Sequence, residues 1–133
     1  MTRSEATLCI DIGGTGTKLM VVDAAGKALT ERFRVETPQP ATPAAVLGEL
    51  KKLMAQVNVP YARVSVGFPG VVMEGTVKTA PNLHPSFADF PLGKEIAKLA
   101  RGKPTRVLND AGVQGHGVIV GRGTELCITL GTG

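Results

Sequence analysis

Asp11-Ile12-Gly13-Gly14-Thr15-Gly16-Thr17-Lys18 stands between two short apolar runs, Thr7–Ile12 and Thr17–Val22. Short apolar runs bounded by glycine read as buried strands, so this stretch predicts a strand, a glycine turn and a second strand. Glycines in the turn permit positive φ and let a phosphate approach the backbone N–H groups. Thr15 and Thr17 add hydroxyl donors and Lys18 a positive charge, while Asp11 at the strand end can hold Mg²⁺ directly or through water. The pattern is not a Walker loop, because no Gly-Lys pair precedes Ser or Thr. Nor is it a dinucleotide fingerprint, because the third glycine is missing and a strand follows instead of a helix. Taken alone, it is equally a tight hairpin that only needs glycine.

Working outward, Ala24–Lys27 reads as a turn. Leu29–Val35 reads as a third strand, with Leu29, Phe33 and Val35 on one face together with Glu31. Short turns between three strands imply an antiparallel meander, since a parallel pair needs a long crossover. Residues 37–43 form a proline-rich loop that ends in a helix start, Thr42 as N-cap and Pro43 at the first helical position. Val46, Leu50, Leu53, Met54 and Val57 share a helical face, and Pro60 is expected to close that helix. Arg63–Phe68 is the next strand, and Val71–Thr79 around Glu74-Gly75 predicts a hairpin.

Leu92, Ile96, Leu99 and Ala100 mark a second amphipathic helix, with Arg101 in its last turn, Gly102 as C-cap and Pro104 beyond. Thr105–Leu108 is a strand. From Asn109 to Val120 a glycine-rich helix is expected, broken at Gly121–Gly123 and followed by a last strand, Glu125–Leu130. Gly112, Gly115 and Gly117 weaken that helix, which suits either a close packing partner or a hinge.

The 133 residues, 43% hydrophobic and 20% charged, suffice for one compact domain. No apolar run approaches a membrane span and no secretory signal is visible. A net charge of +4 with 4% aromatic residues argues against nucleic acid and suits an anionic ligand. Cys9 and Cys127 lie in apolar stretches without metal-ligand spacing, so small buried residues in a reducing cytoplasm are expected. His84 and His116 lack companion ligands and read as structural or exposed, so no protein metal site is expected from them.

Five segments in order carry a resemblance. Asp-Ile-Gly-Gly-Thr-Gly-Thr-Lys at 11–18 resembles the first phosphate motif of the ROK family of sugar kinases and repressors, especially its glucokinases and polyphosphate glucokinases. Gly67-Phe68-Pro69-Gly70, Ala80-Pro81-Asn82-Leu83 and Leu108-Asn109-Asp110-Ala111 are similar to that family's Gly-x-Pro-Gly, Pro-Asn-Leu and Asn-Asp-Ala segments. Leu130-Gly131-Thr132-Gly133 resembles the start of its second phosphate motif. The order of elements likewise resembles the α/β, ribonuclease-H-like fold of actin, chaperone ATPases and sugar kinases.

The resemblance implies a hexose kinase acting on the 6-hydroxyl of glucose or a related sugar, with ATP or polyphosphate as donor and Mg²⁺ as cofactor. It implies Asp110 as the general base and Asn82, Asn109, Gly67 and Gly70 on the sugar side. Asp11, Gly13, Gly14, Thr15, Gly16, Thr17 and Lys18, with Gly131, Thr132 and Gly133, would serve phosphate and Mg²⁺. Without the resemblance, Asn109 or Asp110 would read as an N-cap. Residues 1–121 are expected to form the first domain of a two-domain protein, and 122–133 the first strand of its truncated second domain. A family zinc site, if any, would fall beyond this chain. Sheet-edge pairing of Leu126–Leu130 leads to an expected homodimer. A sugar-responsive repressor of the same family is disfavoured, because only ten residues precede Asp11. A chaperone-like ATPase has no use for the Asn-Asp pair, and a non-catalytic assembly module stays open.

Overall fold

The computed structural model describes residues 5–118, 122–124 and 126, without the side chains of 115–118. Three strands open the chain, β1 (Thr7–Ile12), β2 (Gly16–Val22) and β3 (Phe33–Glu36), and they form the expected antiparallel meander. Helix α1 (Pro43–Met54), β4 (Arg63–Phe68), a hairpin of β5 (Val72–Met73) and β6 (Thr76–Val77), α2 (Leu92–Leu99), β7 (Thr105–Asn109) and α3 (Asp110–Val118) follow. The main sheet runs β3-β2-β1-β4-β7, with β4 parallel to both β1 and β7. A 3₁₀ turn at Pro85–Phe87 is an addition to the sequence reading.

Alternation sorts the sheet into two faces. Leu8, Ile10, Leu19, Val21, Val64 and Val66 point to the face that holds the main core, joined there by Val46 and Leu50 of α1 and Ile96 of α2. Helix α3 lies on the opposite face, where Val113 approaches Gly67. Phe68, Phe87 and Phe90 pack at one end of the core, the first pair tilted with centroids 5.3 Å apart and the second edge-on at 5.8 Å.

Local signals mostly hold. Thr42 caps α1 through its side chain, which accepts from Ala45 N at 3.3 Å, and Pro43 occupies the first turn. Glu74 and Gly75 both take positive φ, 50° and 80°, the pairing that a tight two-residue hairpin requires.

Four expectations need correction. The third strand begins at Phe33, not Leu29, because the Thr30 hydroxyl accepts the Val21 N–H at 3.0 Å and takes the place of a ladder bond. Leu29 is accordingly exposed rather than on the core face. Helix α1 stops at Met54, short of Pro60, where its last turn tightens into i+3 bonds from Gln56 to Leu53 and from Val57 to Met54. Arg101 lies outside α2 at φ 56° and Ala100 is the C-cap. Bonds from Gly102 N to Ala97 O at 2.8 Å and from Arg101 N to Lys98 O at 3.1 Å close that end as a Schellman motif. Finally, β7 runs on through Asn109, so α3 starts at Asp110.

Of the expected strand at 125–130 only Leu126 is described, and the motif Gly131-Thr132-Gly133, Cys127 and the domain division at 121 lie outside the described residues. Leu126 is 85% exposed. Among the described residues no helix is long and apolar enough to cross a membrane.

Candidate active site

Parallel pairing of β1, β4 and β7 brings three strand ends side by side. Asp11, Gly67–Gly70 and Asn109-Asp110 thereby become neighbours, although they span a hundred residues of sequence. The ends of parallel strands are the usual seat of ligands in α/β sheets.

Asp11 and Asp110 flank Gly67. A methyl group built there would lie 3.7 Å from Asp11 Oδ1 and 3.8 Å from the Asp110 Cα. A cavity of about 320 Å³ opens at this point, lined by Asp11, Lys18, Arg32, Gly67, Asp110 and Val113 among others. A second hollow of about 230 Å³ is lined by Pro69, Gly70, Thr79, Asn82, Asn109 and Asp110, with Val71 and Pro81. Asp110 borders both.

Asn109 is a strut between the elements that make this second hollow. Its Nδ2 donates to the Gly70 carbonyl at 2.8 Å, and its Oδ1 accepts from Ala111 N at 3.0 Å. Asp110 Oδ1 also accepts from Ala111 N, at 2.8 Å. Both residues therefore do cap α3, as their types favour, and capping leaves Asp110 Oδ2 without a protein partner among the described residues. Gly70 has no room for a side chain, because a Cβ would overlap the Thr79 carbonyl oxygen.

The glycine loop is closed by a bond from Gly13 N to Gly16 O at 3.0 Å. None of Gly13, Gly14 and Gly16 has positive φ, contrary to the expectation. Crowding against backbone accounts for Gly13 instead, the fit at Gly14 is tight, and at Gly16 the neighbour is the movable end of a side chain. A Cβ on Gly13 would come within 2.9 Å of Gly16 O, one on Gly14 within 3.0 Å of Asn82 Cβ, and one on Gly16 within 2.9 Å of Arg34 Nη2. Thr17 is a further correction: at 2% exposure on the core face, it offers no hydroxyl to a ligand. Thr15 is exposed at the turn. Asn82 joins the two halves of the site, since it packs on Gly14 and lines the second hollow.

Sequence reading missed Thr37. Its hydroxyl donates to Gly13 O at 2.6 Å and its N–H to Thr15 O at 3.0 Å, which pins the loop from the side. Only its place next to the proline-rich segment hinted at a fixed position. Cys9 is half-buried rather than core, and it lines the larger cavity two residues before Asp11. Burial pushes its thiol pKa up. His84 is exposed and caps the 3₁₀ turn through Nδ1, as its structural reading implied.

The donor set suits a hard cation held chiefly by phosphates. No cluster of three or more Asp, Glu, His or Cys is found among the described residues. Mg²⁺ is usually held by one or two carboxylates plus substrate phosphates, and Asp11 at the mouth of the cavity fits that pattern.

The ROK family profile matches residues 7–133. The chain is 36% identical over 110 residues to polyphosphate glucokinase of Mycobacterium tuberculosis, an alignment covering 80% of this chain and 40% of that protein. Among solved structures, the inorganic polyphosphate/ATP-glucomannokinase of Arthrobacter sp. strain KM superposes with a TM-score of 0.75 at 39% identity, over 83% of this chain and 46% of that one. A ROK family glucokinase from Streptomyces griseus, solved with glucose and AMPPNP, gives a TM-score of 0.70 at 32% identity, over 80% of this chain and 33% of that one. The chain thus spans less than half the length of these relatives. Its α/β sheet is the actin-like, ribonuclease-H-like fold of ROK sugar kinases.

Proposed function

The chain belongs to the ROK family, and from that premise we propose that the whole protein is a hexose kinase transferring a phosphoryl group to the 6-hydroxyl of glucose or a close relative. The donor is ATP or polyphosphate. The observation that carries this reading is Asp110, which borders both the cavity beside Asp11 and Lys18 and the hollow beside Asn82 and Asn109. A base at such a junction lies between a donor on one side and an acceptor hydroxyl on the other.

In this reading the sugar occupies the hollow formed by Gly70, Asn82 and Asn109. The strut from Asn109 to Gly70 holds that wall in place, and Asp110 Oδ2 accepts the hydroxyl proton. As the sugar oxygen bonds to the terminal phosphorus, the bond from phosphorus to the donor's bridging oxygen breaks and the electron pair leaves with the shortened donor. The glycine loop and Thr15 hydrogen-bond the phosphates, and Lys18 offsets their charge. Asp11 would hold Mg²⁺, which when bound neutralises charge on the phosphoryl oxygens.

The test is a kinase assay on the complete polypeptide, with ATP and polyphosphate each offered to glucose, mannose, fructose and N-acyl hexosamines. Formation of a hexose 6-phosphate is expected; no turnover of any hexose with either donor ends this reading. The homodimer, expected from the Leu126–Leu130 edge, is proposed for the 133-residue chain, and light scattering on that chain checks it: a strict monomer at high concentration ends it.

A further inference from the structure

Arg34 stands directly across the β2–β3 ladder from Lys18. Lys18 in turn faces Asp11 across β1–β2, and Asp11 pairs with Gly67. One row of residues thus crosses four strands, from Gly67 through Asp11 and Lys18 to Arg34. Phe33 and Val35 pack toward the core, so Arg34 between them projects from the same face as Lys18.

Two like charges directly opposite on neighbouring strands repel each other. Neither Lys18 nor Arg34 forms an ion pair among the described residues, and Glu36, on the same side, makes none with Arg34. Arg32 lines the 320 Å³ cavity together with Lys18. The Arg34 guanidinium lies against the glycine loop: a Cβ on Gly16 would sit 2.9 Å from its Nη2 and 3.2 Å from Cζ and Nε. Three cations without carboxylate partners among the described residues therefore begin at the loop and lead away from Asp110.

We infer that Arg34 and Arg32 are ligands for the outer phosphates of the donor, extending the glycine-loop site along β2 and β3 so that it grips a linear oligophosphate. The identity of those phosphates as the donor's rests on the hexose-kinase reading; the anion site rests on the charges. Guanidinium groups match phosphate oxygens in paired hydrogen bonds, which a lone ammonium does not. No aromatic side chain lines the cavity among the described residues, so it offers no stacking surface for a base. The row is thus suited to phosphates.

Tripolyphosphate is the probe, titrated by calorimetry into the complete polypeptide and its Arg34→Ala, Arg32→Ala and Arg34→Lys variants. Each alanine is expected to weaken binding about tenfold, with a shallower salt dependence. Lysine retains the charge but not the fork, so Arg34→Lys falls between. In turnover with polyphosphate, the alanine variants raise the donor KM and leave the hexose KM within about twofold. Arg34→Ala removes a contact with the loop, so Arg32→Ala, at a position on the cavity wall, is the second arm, and melting curves accompany both.

Absent binding to the wild type, or unchanged binding in both folded alanine variants, overturns the inference. Oligophosphate binding that the variants lose, in a protein that phosphorylates no hexose, upholds it and ends the kinase reading. Hexose phosphorylation with donor KM unchanged in both variants does the reverse.

Discussion

Asn109 Nδ2 donates a 2.8 Å hydrogen bond to the carbonyl oxygen of Gly70, thirty-nine residues earlier in the chain. This bond ties the end of β7 to the turn after β4, and so fixes the wall of the hollow relative to Asp110. Replacing Asn109 with Ala removes both that bond and its cap on α3. A loss of about 1–2 kcal/mol in stability is expected, together with a lower kcat/KM for hexose. Chemical denaturation and steady-state kinetics on the complete polypeptide check it; unchanged stability would show that the strut is dispensable.

Asp110→Asn keeps the shape and the cap but removes the proton acceptor. The expected result is a kcat lower by about 10²–10⁴, with the hexose KM within about tenfold. A large rise in KM at near-normal kcat would mark Asp110 as a binding group instead.

Gly67, near the end of β4, and Gly70, in the turn after it, should respond differently. Gly70→Ala drives a methyl into the Thr79 carbonyl, so destabilisation of about 1–3 kcal/mol is expected, visible as a lower Tm. Gly67→Ala meets nothing closer than 3.7 Å, so it should fold normally. Its methyl sits between Asp11 and Asp110, however, and kcat/KM should fall. Equal melting temperatures for the two variants would contradict the geometry.

Gly48 lies exposed inside α1, and a methyl group added there would have nothing within 4 Å. Gly48→Ala should therefore stabilise the protein by up to about 1 kcal/mol. A denaturation midpoint at or below the wild-type value would count against the helix as described.

The Cys9 thiol is pushed up in pKa by burial, so less thiolate is present at neutral pH than in a solvent-exposed cysteine. Its alkylation by iodoacetamide should be slower than that of an unstructured cysteine peptide at about pH 7.5, and should accelerate as pH rises. Because the thiol lines the larger cavity, tripolyphosphate should slow it further. Peptide mapping separates Cys9 from Cys127; labelling as fast as the free peptide would show an open site.

Much of this was legible from the sequence, because local patterns carry it. The apolar runs at 7–12 and 63–68, the Thr42-Pro43 helix start and the Glu74-Gly75 turn depend on residues a few positions apart, and their bounds agree with the structure. Motifs in order along the chain also identified the family. Strand and helix ends were less legible where a distant or side-chain bond decides them. Thr30 capturing the Val21 N–H is one case, and the tightened last turn of α1 is another.

The site itself needed the tertiary structure. Parallel pairing of β1, β4 and β7 is a long-range event, and it alone sets Asp11, Gly67 and Asp110 together. The sequence marked Gly13, Gly14 and Gly16 through positive φ and room for a phosphate, and the first of these does not hold. Their φ angles are ordinary, and at Gly13 it is the approach of the Gly16 carbonyl oxygen that excludes a side chain. Thr17 looked like a phosphate donor because its motif has a hydroxyl there, yet strand alternation turns it into the core. Thr37 and Arg34 reach the loop from segments with no motif. Residue type and spacing determine local conformation; which side chains meet across strands is decided by register, which only the assembled sheet defines.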